Sequence, residues 1–100
     1  MNIGEKRDCL LSYLVELHGQ LGDVPLTVAF SLDPNEVEEA KNRCKIRSSD
    51  DIGAFIRSLE DRGLVQSHCS GDNLILGCAI MLDGHEYVEQ LTLRKGESIG

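Results

Sequence analysis

The chain has few of the residues that stack on bases and few of those that bind polyanions. It contains no Trp, two Phe and two Tyr in 100 residues. Those four rings, Tyr13, Phe30, Phe55 and Tyr87, are spaced as core residues and do not make a base-stacking platform. Basic residues are outnumbered, 10 Lys+Arg against 17 Asp+Glu, for a formal net charge of −7. That balance excludes a general polyanion binder, because phosphate backbones are held mainly by clustered Lys and Arg. It leaves room for a local basic patch. No apolar run approaches the ~20 residues a membrane span needs. No apolar signal core follows the start, where Glu5, Lys6, Arg7 and Asp8 intervene, and Asn2 occupies the position that myristoylation requires to be Gly. None of Cys9, Cys44, Cys69 and Cys78 belongs to a C-x-x-C pair. The four allow three formal pairings, and the expectation is a cytoplasmic chain with reduced thiols and no membrane association.

What is present describes a folded domain. The composition, 41% hydrophobic and 27% charged, is that of a globular chain. At this length one domain is expected, burying about 60–70% of its unfolded surface. We place it at residues 1–95, with 96–100 as a flexible tail.

Apolar periodicity predicts a helix over Glu5–Gly19, with Leu10, Leu14, Leu17 and Leu21 on one stripe beside Leu11, Val15 and His18, ended by Gly19 and Gly22. Val24, Leu26, Val28 and Phe30 alternate with Pro25, Thr27 and Ala29, the pattern of a short strand. Pro25 confines that strand to an edge or delays its start, and a helix over Leu26–Leu32 is the alternative. Asp33-Pro34-Asn35-Glu36 is a capped helix start, with Leu32 and Val37 as a hydrophobic staple and Val37, Ala40 and Cys44 on the buried face. Ser48 and Asp51 open a further helix whose apolar face is Ile52, Phe55, Ile56 and Leu59, and Gly63 ends it in a left-handed stop. Leu64–Cys69 and Leu74–Leu82 flank the turn formers Ser70-Gly71-Asp72-Asn73, which predicts a hairpin with an apolar second arm covered on both faces. A last helix starts with Asp83 as cap, Glu86 as its answer and Leu82 stapled to Tyr87, and buries Tyr87, Val88 and Leu91. Gly84 permits close packing there.

The fold class is therefore α+β, in the order helix-strand-helix-helix-strand-wing-strand-helix. Two segments carry a resemblance: Ile56-Arg57-Ser58-Leu59-Glu60-Asp61-Arg62-Gly63-Leu64-Val65 and Met81-Leu82-Asp83-Gly84-His85-Glu86-Tyr87-Val88-Glu89-Gln90-Leu91. The first is similar to the end of the recognition helix in winged helix-turn-helix domains. The second is similar to the helix after the wing in MarR-type regulators. The resemblance implies a DNA-binding, transcription-regulating module, often dimeric, with the helix over Asp50–Arg62 entering the major groove.

The residues themselves speak on both sides. Ser49, Asp50 and Asp51 stand at the groove-facing start of that helix, where carboxylates repel phosphates. Gly53, Ala54, Arg57, Ser58 and Asp61 are expected to face solvent, and Arg57 is the one evident donor to guanine. The expected wing, Gln66–Asn73, has no Arg or Lys, and His68 there is mostly neutral with an ordinary pKa of about 6.5. Against this, Lys41, Arg43, Lys45 and Arg47 fall within seven residues with no acid among them. They suit phosphate contacts or, alternatively, a helix C-terminal dipole. The candidate nucleic-acid contacts are Lys41, Arg43, Lys45, Arg47, Ser49 and Arg57. His68, Cys69, Cys78 and His85 match no zinc spacing, and no glycine-rich turn or oxyanion arrangement accompanies Cys9 or Cys69. No metal, no cofactor and no enzymatic activity is read from the sequence. The expected partner is double-stranded DNA, with a basic protein meeting the acidic faces as the alternative and a homodimer as the form that would give DNA affinity.

Overall fold

Three leucines of the first helix, Leu10, Leu11 and Leu14, are fully buried, and the other elements pack around them. A computed structural model of the chain describes residues 2–68 and 77–99, with backbone alone at 49, 68 and 94–99. The elements are α1(Ile3–His18), β1(Gln20–Leu21), β2(Val24–Pro25), β3(Phe30–Ser31), α2(Pro34–Cys44), α3(Ser49–Asp61), β4(Val65–His68), β5(Gly77–Ile80) and α4(Leu82–Ile99). The architecture is α+β. No helix among the described residues is long and apolar enough to cross a membrane.

The larger sheet is antiparallel, in the order β3-β5-β4. Phe30 pairs with Cys78, and Val65 with Ile80. The central strand β5 is buried along its whole length, as its unbroken apolar sequence requires. Segment 69–76, which holds the expected turn at Ser70–Asn73 and Cys69, lies outside the described residues.

Local chemistry sets the helix ends. Asp33 and Glu36 form a complete capping box: the Glu36 amide donates to Asp33 Oδ1 at 2.8 Å and the Asp33 amide to Glu36 Oε1 at 3.0 Å. Ser48 Oγ accepts from the Asp51 amide at 3.3 Å at the start of α3. That helix ends in a Schellman pair, with Leu64 N–H on Leu59 C=O at 3.0 Å and Gly63 N–H on Glu60 C=O at 2.9 Å. Gly63 supplies the required left-handed backbone at φ +75°. Leu64 C=O then accepts from the Met81 amide at 3.0 Å, which docks the end of β5 on this turn.

Several expectations are corrected. The single strand over 24–30 is two pieces. Val24–Pro25 folds back on β1 around Gly22 at φ +64°, and only Phe30–Ser31 joins the larger sheet. Val24 and Val28 are exposed, so alternation here does not report a buried face. Leu21 lies beyond the end of α1 and is exposed. Gly19 ends α1 through close approach, since a Cβ there would meet Val15 Cα and O at 2.7 Å. Gly53 is buried and Ser58 half-buried, while Phe55 is only half-buried. Asp83 lies inside the first turn of α4 rather than before it, so it acts on the helix dipole and not as a cap. Leu82 is exposed and Tyr87, Val88 and Leu91 are half-buried, so the expected staple is not made. α4 extends to Ile99.

Gly84 is buried against the Leu64 carbonyl, which an added Cβ would strike. A backbone atom cannot swing away. Gly84→Ala is expected to cost about 1–3 kcal/mol, read as a lower urea midpoint. An unchanged midpoint contradicts this packing.

Candidate nucleic-acid interface

The basic run at 41–47 straddles the end of α2 and the turn into α3, and the fold divides it. Ala40 and Cys44 face the core, so the residues between them emerge at different angles. Lys41 is half-buried, and its Nζ lies 3.4 Å from Glu38 Oε1, one turn back. Arg43 is held by two acids: its guanidinium lies 2.8 Å from Glu16 Oε2 of α1 and 3.2 Å from Glu39 Oε1. Its carbon sits 5.0 Å from the centre of the Tyr13 ring. The hydrogen bond to Glu16, then the nearby charges of Glu16 and Glu39, raise the pKa of the guanidinium. Tyr13 completes the cluster by donating to Glu39 Oε2 at 3.4 Å, and burial followed by the Glu39 charge raises its phenol above the usual range. Arg43 is thus a tie between α1 and α2, with its charge already matched.

Lys45, Arg47 and Arg57 differ. All three are exposed, and none has an acidic partner within ion-pairing distance among the described residues. Lys45 adopts the left-handed conformation, φ 55° and ψ 43°, and its amide bonds Lys41 C=O to close α2. Ile46 is buried and pins the turn, so the flanking Lys45 and Arg47 point outward. Arg47 borders a shallow hollow of about 290 Å³ between the start of α1 and α3, shared with Lys6, Asp51, Ala54 and Phe55. Arg57 lies one turn beyond Ala54 on the exposed face of α3. Ser49 is the first residue of α3, and its side chain lies outside the described atoms.

Lys6 is the contributor that the sequence did not reveal. It stands 41 positions from Arg47, so no local pattern joins them. The α1–α3 packing brings both to one hollow. Arg7, its neighbour, donates to Ser58 of α3 at 3.4 Å and helps fix this end of α1.

The acids limit what the surface can do. Asp50 and Asp51 fill the first turn of α3, the place where free backbone N–H groups would otherwise attract a phosphate. Any anion must be met by side chains around that turn. Four dispersed cations, Lys6, Lys45, Arg47 and Arg57, suit a string of phosphates better than a single base edge. Elsewhere among the described residues, no group of three or more His, Cys, Asp and Glu is arranged to hold a metal ion. His18 on α1 packs its ring on Phe30, 4.3 Å between centroids, and meets Glu36 Oε2 at 2.9 Å.

The division gives a paired expectation. Lys45→Gly relieves the left-handed strain and raises stability by up to about 1 kcal/mol, while removing an exposed charge. Arg43→Ala lowers the denaturation midpoint by freeing Glu16 and Glu39 from their partner. Urea melts of the two variants moving in the same direction contradict these roles.

No family model matches the chain, and neither the curated proteins nor the solved structures compared with it give a match.

Proposed function

We propose that the chain is a non-enzymatic winged helix-turn-helix module that docks on double-stranded DNA through Lys6, Lys45, Arg47 and Arg57. The order α1, β3, α2, α3, β4, β5, α4 and the β3-β5-β4 sheet support the winged-helix reading. The observation that carries the DNA reading is the sorting of charges. Acids of the same fold take up Lys41 and Arg43, and the cations left over lie around α3 and the turn before it. Relative to the sequence-level set, Lys41 and Arg43 become structural and Lys6 joins. Contacts of this kind position a domain on the duplex and carry little base information. A transcription-regulating role in the cytoplasm follows from this reading, and a homodimer would supply the affinity that four charges alone do not.

A second reading has its own observation. A groove of about 470 Å³ lies between α1 and α4, lined by Val15, Val88 and Leu93 with Glu89 beside them. Leu93 is 62% exposed. An apolar lining beside an acid favours a basic protein partner in place of DNA.

Titration of a labelled random duplex separates the two. Four phosphate contacts give a slope of log affinity against log salt of about −3 to −4. Arg47→Ala and Arg57→Ala each weaken binding and reduce that slope by about 1, whereas Arg43→Ala leaves the slope unchanged. No salt-sensitive binding at low ionic strength overturns the DNA reading.

A further inference from the structure

Cys9 lies in the middle of α1 on the side facing α2, half-buried against the core. Its Sγ donates to the Arg43 carbonyl at 3.7 Å, one of the carbonyls that the end of α2 leaves without a helical partner. The next residue is Cys44, the last of α2 and fully buried. That carbonyl belongs to the peptide that joins Arg43 to Cys44, and Cys9 packs against the core cluster that contains Cys44, so the two thiols meet at the α1–α2 contact. Cys78 is the contrasting case, alone in the core strand β5, where burial pushes its thiol up to about 12.

We propose that Cys9 and Cys44 are an oxidation site, a dithiol that a hydroperoxide converts to a disulfide tying α1 to α2. The two residues have different parts. Cys9 is the thiol that an oxidant in water can reach. Cys44 is shielded, and burial together with the neighbouring Cys9 sulfur pushes its thiol well above the ordinary range, so it does not make the first attack.

The Cys9 thiolate attacks the outer peroxide oxygen, the O–O bond breaks, and the departing alkoxide takes a proton to leave as an alcohol. Cys9 is then a sulfenic acid. The Cys44 sulfur attacks the Cys9 sulfur and the S–O bond breaks. The released hydroxide takes the Cys44 proton and leaves as water. Two thiols and one hydroperoxide give one disulfide, one alcohol and one water. The product S–S bond is about 2.05 Å long. A thiol reductant attacking the more accessible Cys9 sulfur reverses the process. The bridge would anchor the end of α2 immediately before the Lys45–Arg47 turn. The inference stands whether or not that turn meets DNA.

The test treats the reduced full chain with hydrogen peroxide, quenches it, alkylates the remaining thiols after unfolding, and reads the mass. The expected product has lost two hydrogens and takes up two alkyl groups where the untreated chain, with its four cysteines, takes up four. Its digest contains the Cys9 and Cys44 peptides joined, and dithiothreitol restores all four thiols. Cys9→Ser, a change at a half-buried position, keeps the fold by circular dichroism and forms no disulfide at Cys44. In Cys44→Ala, Cys9 stops as a sulfenic acid that dimedone captures. If that variant does not fold, Cys9→Ser and the native peptide map decide alone. The proposal is overturned if oxidised chains leave Cys9 and Cys44 alkylatable. It is equally overturned if either is joined to Cys69 or Cys78, or if the bridge forms only between two chains.

Discussion

The burial of Leu10, Leu11 and Leu14 on one face of α1 is the constraint from which the other arrangements follow. Removing that much apolar surface from water is worth several kcal/mol, and it places α1 against α2, α3 and α4 at once. The polar residues on its flanks then meet residues that the sequence keeps far apart. Glu16 reaches Arg43, and His18 reaches Glu36. Asp8 accepts from the Tyr87 hydroxyl at 2.9 Å, where burial followed by the Asp8 carboxylate raises the phenol's pKa. Lys6 arrives beside Arg47, and Cys9 beside the Arg43–Cys44 peptide. The helix that carries no recognised motif decides which charges and thiols are paired.

That pairing changes the meaning of the net charge of −7. Some of the acids belong to folding. Asp33 and Glu36 cap α2, Asp50 and Asp51 favour the dipole of α3, and Asp83 that of α4. Others neutralise neighbours, as Glu38, Glu39 and Glu16 do. Each exposed ion pair of this kind contributes about 1 kcal/mol or less to stability, and together they remove cations from the surface that a partner sees. Lys45, Arg47 and Arg57 stand out because they have no acidic partner within ion-pairing distance among the described residues.

The sequence disclosed features set within a few residues and hid those made by packing. The Asp33–Glu36 box, the Gly63 stop, the apolar strand β5 and the buried face of α2 were all legible, because each depends on i to i+4 spacing or on alternation. The strand over 24–30 was misread because Gly22 turns the chain early and leaves Val24 and Val28 in solvent. Asp83 does not cap α4 because the helix starts two residues sooner, at Leu82, with Gly84 packed against the Leu64 carbonyl. In the candidate site, the basic run at 41–47 was visible as a cluster. Its division was not, since Glu16 lies 27 positions from Arg43 and Lys6 lies 41 from Arg47. Separation of that size leaves no trace in local pattern.

Amide chemical-shift mapping of the chain against a short random duplex at low salt tests the central claim most directly. The account predicts shifts confined to Lys6, the Lys45–Arg47 turn and the exposed face of α3 at Ala54 and Arg57, fading as salt rises. Shifts that fall instead on the groove between α1 and α4, around Val15, His85 and Leu93, or that are absent throughout, would contradict it.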